Sequence, residues 1–264
     1  MTNEIRRRFT PGVRSGSAIA AVLTLAIVPA LSGQEVSRSR FELELEAGPV
    51  WQTRNDVQIP NDASGTRFSL VEPLGNGPWA AGRVYATWHI GTRHSIRGLV
   101  APLSVTGTGT ASGPIDFAGE TFPGGPGVRA TYKFNSYRLT YRYRFLARER
   151  VSLWAGLTAN IRDAKIALEQ GDLTAQDTDV GFVPLLHFAA DWQPASRTHV
   201  LFDLEGLAGG PGRAFDVALK LGYDLNRHWR LSGGYRTLEG GADVSSVYAF
   251  AWLHFGVLSV AFRF

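Results

Sequence analysis

His187, Asp203, Glu205 and Asp216 are the residues of this chain whose types suit hydrolysis. An imidazole beside carboxylates can take a proton from a water molecule and hold it. Charges at every second position surround them in the sequence: Glu42, Glu44 and Glu46, then Arg138, Arg142 and Arg144, then Lys220, Arg230 and Arg236. The stretch "YRLTYRYRF" (137–145) interleaves arginines with aromatic and aliphatic residues. That pattern suits a strand stacking nucleic-acid bases, or a strand with lipid on one face and a polar interior on the other. Structural ion pairing in a narrow interior competes with catalysis as the use of the His–carboxylate group.

Charge placement separates the two readings. The sequence pI is about 9.6. Yet the 27 basic and 23 acidic residues come close to balance once Arg6, Arg7, Arg8, Arg14 and Glu4 of the first 33 residues are set aside. Most of the basicity is therefore N-terminal, and no nucleic-acid partner is expected. Residues 1–33 read as a cleaved secretory signal peptide, with an arginine-rich start, the apolar stretch "SAIAAVLTLAIVPAL" and small residues before Gln34. Residues 34–40 form a short periplasmic segment. The absence of cysteine excludes a lipoprotein anchor, a disulfide frame and thiolate metal ligation. No metal site or cofactor is expected.

Past Arg40 the dominant pattern is period two, interrupted by turn residues. Ten strands are expected: 41–53, 79–90, 95–106, 128–146, 150–168, 180–192, 199–208, 213–224, 228–238 and 246–264. Short links alternate with longer ones, the longest at 54–78 and 107–127, with 169–179 an acidic loop. The strand 95–106 and the start of the last strand have no clear facing. Two "GGPG" runs, at 124–127 and 209–212, read as tight turns.

The apolar face sorts its aromatics by height. Phe41, Trp88, Tyr143, Phe145, Trp192, Tyr223, Trp229, Phe262 and Phe264 fall at the short-turn ends; Trp51, Phe182, Phe215 and Tyr235 fall at the other. Aliphatic residues lie between. Two aromatic rings around an aliphatic band are what two membrane interfaces select. The opposite face collects Glu42, Glu44, Glu46, Arg138, Arg142, Arg144, Lys220, Arg230 and Arg236 as a lumen network. The fold class is all-β, a ten-stranded antiparallel transmembrane β-barrel over 41–264.

The end "LSVAFRF", with Phe264, Phe262, Val260 and Leu258 at alternate positions, resembles the terminal signature of bacterial outer-membrane β-barrel proteins. The resemblance implies a Gram-negative outer membrane, contact with its lipids, and recognition of Phe262 and Phe264 by the barrel assembly machinery. In strand number and residue type the chain is also similar to the omptin proteases, whose local motifs it lacks. In size it is similar to outer-membrane lipid A deacylases, whose close His–Ser spacing is missing from His254 and Ser259. The leading function is structural, surface-binding or limited transport, with the lumen closed by paired charges. The alternatives are an outer-membrane enzyme, protease or lipid-modifying hydrolase, and an open diffusion pore.

Overall fold

The computed structural model describes residues 39–264; the signal peptide expected at 1–33 and residues 34–38 of the expected periplasmic segment lie outside them. Along the chain come β1 (Phe41–Gln58), β2 (Phe68–Ser69), a one-turn helix α1 (Val71–Leu74), β3 (Trp79–Ile90), β4 (His94–Ala101) and β5 (Ser104–Ala111). A small hairpin follows, β6 (Ile115–Phe117) and β7 (Glu120–Phe122). Then come β8 (Gly125–Ala147), β9 (Val151–Gln170), β10 (Leu173–Ala195), β11 (Thr198–Gly209), β12 (Gly212–Asp224), β13 (Trp229–Val244) and β14 (Val247–Arg263). All neighbouring pairs are antiparallel, and β14 pairs back onto β1, closing the ring. With β4 and β5 counted as the two halves of one strand, the ring has the ten strands expected.

The ambiguous third strand is resolved by Pro102. It cannot donate a ladder hydrogen bond, and the strand breaks there into β4 and β5. β4 turns Ser95, Arg97 and Leu99 inward, opposite Arg142, Thr140 and Arg138 of β8. The acidic loop expected at 169–179 is instead strand: β9 and β10 stay paired up to Gln170↔Leu173, with Gly171 at φ 60° in the turn. The charges of "GDLTAQDTD" suggested solvent, but they alternate along a paired hairpin. The 54–78 link likewise contains one end of β1, β2 and α1.

Outside, the wall carries an aliphatic band between aromatic residues. Leu139, Leu157, Leu186, Leu219, Leu221 and Leu258 are exposed, flanked by exposed Trp88, Trp192, Tyr223 and Trp229 at one height and Phe182, Phe215 and Tyr235 at the other. Inside, the picture differs by half. The short-turn half holds the charges. The long-loop half is an apolar core containing Val50, Val57, Leu70, Leu74, Val105, Phe117, Phe122, Leu168, Leu253 and Phe255. This explains why the start of β14 is apolar on both faces: Ala251, Leu253 and Phe255 point into that core while Trp252 faces outward. A bulge between Gln52 and Arg54 places Asn55 and Val57, rather than their neighbours, inside.

Between β3 and β5 the wall is not hydrogen-bonded, since β3 pairs with β4 only from Val84 to Ile90 and β5 pairs with β8. α1 packs here against the inner face of β5. A Cβ on Gly107 would stand 2.9 Å from Leu74 Cα, so glycine is required for the helix to approach.

Candidate functional site

Strand pairing assembles the central site from distant segments. Glu205 stands opposite His187 on β10 and Asp216 on β12. Across the lumen, β1 presents Glu44 and Glu46, β3 Arg83 and Tyr85, β4 Arg97, β8 Arg138 and β13 Arg236. The interior is narrow enough for these side chains to meet.

Asp216 accepts from Arg83 (2.8 Å), Arg138 (2.8 Å) and Arg236 (2.6 Å). Glu205 accepts from Arg138 and, at 2.9 Å each, from the hydroxyls of Thr140 and Thr158, and lies 3.2 Å from Arg97. Asp203 takes both arms of Arg97, the shorter at 2.7 Å. Glu46 binds Arg236 (2.9 Å) and Lys220 (2.9 Å), and Lys220 reaches Glu44 at 2.6 Å. Tyr85 Oη accepts from Arg236 at 3.0 Å. Five carboxylates thus meet five cations in one buried layer. Bidentate arginine contacts hold such pairs rigidly, and within the layer the signs match five to five.

His187 is 3% exposed and its Nδ1 lies 3.7 Å from Glu205 Oε1, too far for a hydrogen bond; neither ring nitrogen has a partner among the described residues. His254 and Ser259 lie on opposite faces of β14. His254 faces outward against Tyr235 and Trp51, while Ser259 faces the lumen.

A second polar group lies at the short-turn end. Arg230 binds Asp224 at 2.7 Å, His199 joins Asp191 (2.7 Å) and Asp224 (3.1 Å), and Arg263 binds Glu42 at 2.8 Å. Arg144 donates to the Thr92 carbonyl. Arg142 differs from expectation. It pairs with no carboxylate among the described residues and lies over the Trp154 ring at 5.2 Å. Two further partners of the carboxylates, Arg83 and Arg97, are not among the lumen residues expected from the sequence. Arg97 is masked by apolar neighbours in the broken third strand. Arg83 could have been found from its alternation with Tyr85 and Thr87.

Above the charge layer, on the long-loop side, lies a cavity of about 470 Å3. Its base is Arg138, Glu205, Asp216, Asn55 and Asn160, and its walls include Phe134, Leu185, Leu207, Leu238 and Ala251. It reaches the hairpin tops at Pro211, Gly212 and Val247. Arg162 and Asp179 pair across Gly181 at its margin. Higher on the β9–β10 extension, burial and then the neighbouring Asp179 charge raise the Asp177 carboxyl above its ordinary value. The size and the apolar walls above a few polar groups are those of small-molecule sites. Among the described residues no cluster of His, Asp and Glu suits a metal ion.

No protein-family model matches the chain, and no curated protein matches it. Solved structures do. The outer membrane protease OmpT of Escherichia coli is similar at TM-score 0.56 and 9% identity, covering 88% of this chain and 99% of that one. Ail, the attachment invasion locus protein of Yersinia pestis, with sucrose octasulfate bound, gives 0.37 and 11% over 85% and 99%. Neisserial surface protein A gives 0.36 and 12% over 86% and 98%. The OmpT likeness shows the fold, that of a bacterial outer-membrane β-barrel, and at this identity nothing of its activity.

Proposed function

We propose that the protein is a closed outer-membrane barrel that binds a small, largely apolar molecule in the cavity facing the long loops. The observation that carries this reading is the apolar-walled cavity seated on a fully paired charge layer. The layer supports binding over conduction because it spans the interior with matched signs. It supports binding over hydrolysis because Asp203, Glu205 and Asp216 are each held by guanidinium groups, leaving His187 without a bonded carboxylate to orient it.

The leader, the outer aromatic rings and the terminal Phe262 and Phe264 support export to a Gram-negative outer membrane, contact with its lipids and delivery by the barrel assembly machinery. Deleting Phe264 should lower the abundance of heat-modifiable protein in the outer-membrane fraction.

The binding test uses N-phenyl-1-naphthylamine, whose fluorescence rises in apolar surroundings. Protein refolded in vesicles should enhance it saturably. Leu207→Asp, on the cavity wall and already 40% exposed, should remove that enhancement while heat-modifiable migration persists. Equal enhancement by both proteins would refute binding at this cavity.

A further inference from the structure

The wall of the ring separates at two places in its long-loop half. One lies between β3 and β5, where α1 packs on the inner face of β5. The other lies between β10 and β11. These strands pair from Ala195↔Thr198 up to Leu186↔Gly206 and no further. Beyond that point β10 continues with β9 alone to Leu173, and β11 continues with β12 alone to the turn at Gly209–Gly212. The next residues in register, Leu185 and Leu207, form no pair and both line the cavity.

The separation goes through the wall. Phe182 and Phe215 belong to the outward face, at 63% and 36% exposure, yet both also line the cavity. The Phe215 ring lies across Gly206, the last paired residue, where a Cβ would stand 2.4 Å from its Cδ1. Both aromatics belong to the upper aromatic ring, so the gap sits at interfacial height, where open backbone can be hydrated from the cavity.

We infer that this gap is a lateral entrance through which the alkyl chain of a single-chain amphiphile passes from the outer leaflet into the cavity. The inference rests on the binding reading above. A peptide strand added to the free edge of β10 would need a continuous ladder, and Pro184 has no N–H to give it. An alkyl chain needs only apolar contact, which Val183, Leu185 and Leu207 supply. The polar head then stays near the Arg162–Asp179 pair at the margin.

Because the chain has no cysteine, Leu207→Cys gives a unique thiol inside the cavity for a bimane label. In vesicles, doxyl-stearate in the bilayer should quench this bimane. Ala208→Trp adds bulk on the outer flank of the gap without touching the cavity wall, and quenching should be lost, while the Ala208→Trp protein that keeps Leu207 still binds N-phenyl-1-naphthylamine added from water. Phe182→Ala should raise quenching, which keeps the test valid if the tryptophan variant fails to refold. Probe binding with no doxyl-stearate quenching, or quenching indifferent to both variants, overturns the lateral entrance and leaves the binding reading standing. Loss of probe binding to the unmodified protein overturns the binding reading itself.

Discussion

Arg138 and Arg142 sit four residues apart on the same inner face of β8 and have different roles. Arg138 bridges Glu205 and Asp216, whereas Arg142 stacks on Trp154. Removing one partner from a buried ion pair costs about 3–5 kcal/mol, because the other charge stays buried. An arginine–aromatic contact is worth about 0.5–2 kcal/mol. Urea unfolding in vesicles should therefore place Arg138→Ala well below Arg142→Ala in stability; equal losses would contradict the pairing described. Sequence alternation placed both arginines inside, but not their partners, since partner choice depends on which strands face each other across the lumen. At the outer margin, Asp177 supplies a pH response. Its carboxyl is held above the ordinary value, so the folded hairpin favours the protonated form more than the unfolded chain does. Its contribution is full at pH below the ordinary carboxyl value and is lost as pH rises through the raised one. Amide protection factors across 173–179, which remove the intrinsic rise of exchange with pH, should fall over that window, and Asp177→Asn should abolish the fall.

Among the elements, β12 and β13 make the inside–outside assignment testable. Leu219 is 55% exposed on the outer wall and Ser232 is 8% exposed in the lumen. A charge on the lipid face near the midplane costs about 2–4 kcal/mol, so Leu219→Arg should be destabilising and Ser232→Arg milder. Comparable losses would undo the assignment. The strands were legible because each has one lipid face, which enforces period two wherever the other face is polar. That logic fails where the interior is apolar: the start of β14 and the third strand lost their contrast because Leu253, Phe255 and Val105 serve an inner core. α1 was invisible for another reason. Four residues cannot show a helical period, and its place is set by the room that Gly107 and Gly109 leave. Gly107→Val should displace it and expose Leu74, seen as faster proteolysis in the 59–78 link; unchanged cleavage would argue against that packing.

For the molecule as a whole, the two halves of the interior divide the work. The short-turn half contains a layer of paired charges from seven strands, and the long-loop half is part apolar core and part cavity. Barrels of about eight strands are narrow enough for side chains to fill, and ten strands add little width. The balanced charge count was readable from the sequence, and with it the expectation of closure. The cavity was not, because its walls come from residues such as Leu185, Leu207 and Leu238 whose meeting depends on where β10 leaves β11. Closure beneath the cavity is the claim on which binding, rather than conduction, depends. Single-channel recording of the refolded protein in planar bilayers tests it directly. A closed floor predicts no steady conductance from the unmodified protein and a leak on Arg138→Ala, whereas a large, steady, ion-selective conductance from the unmodified protein would contradict it.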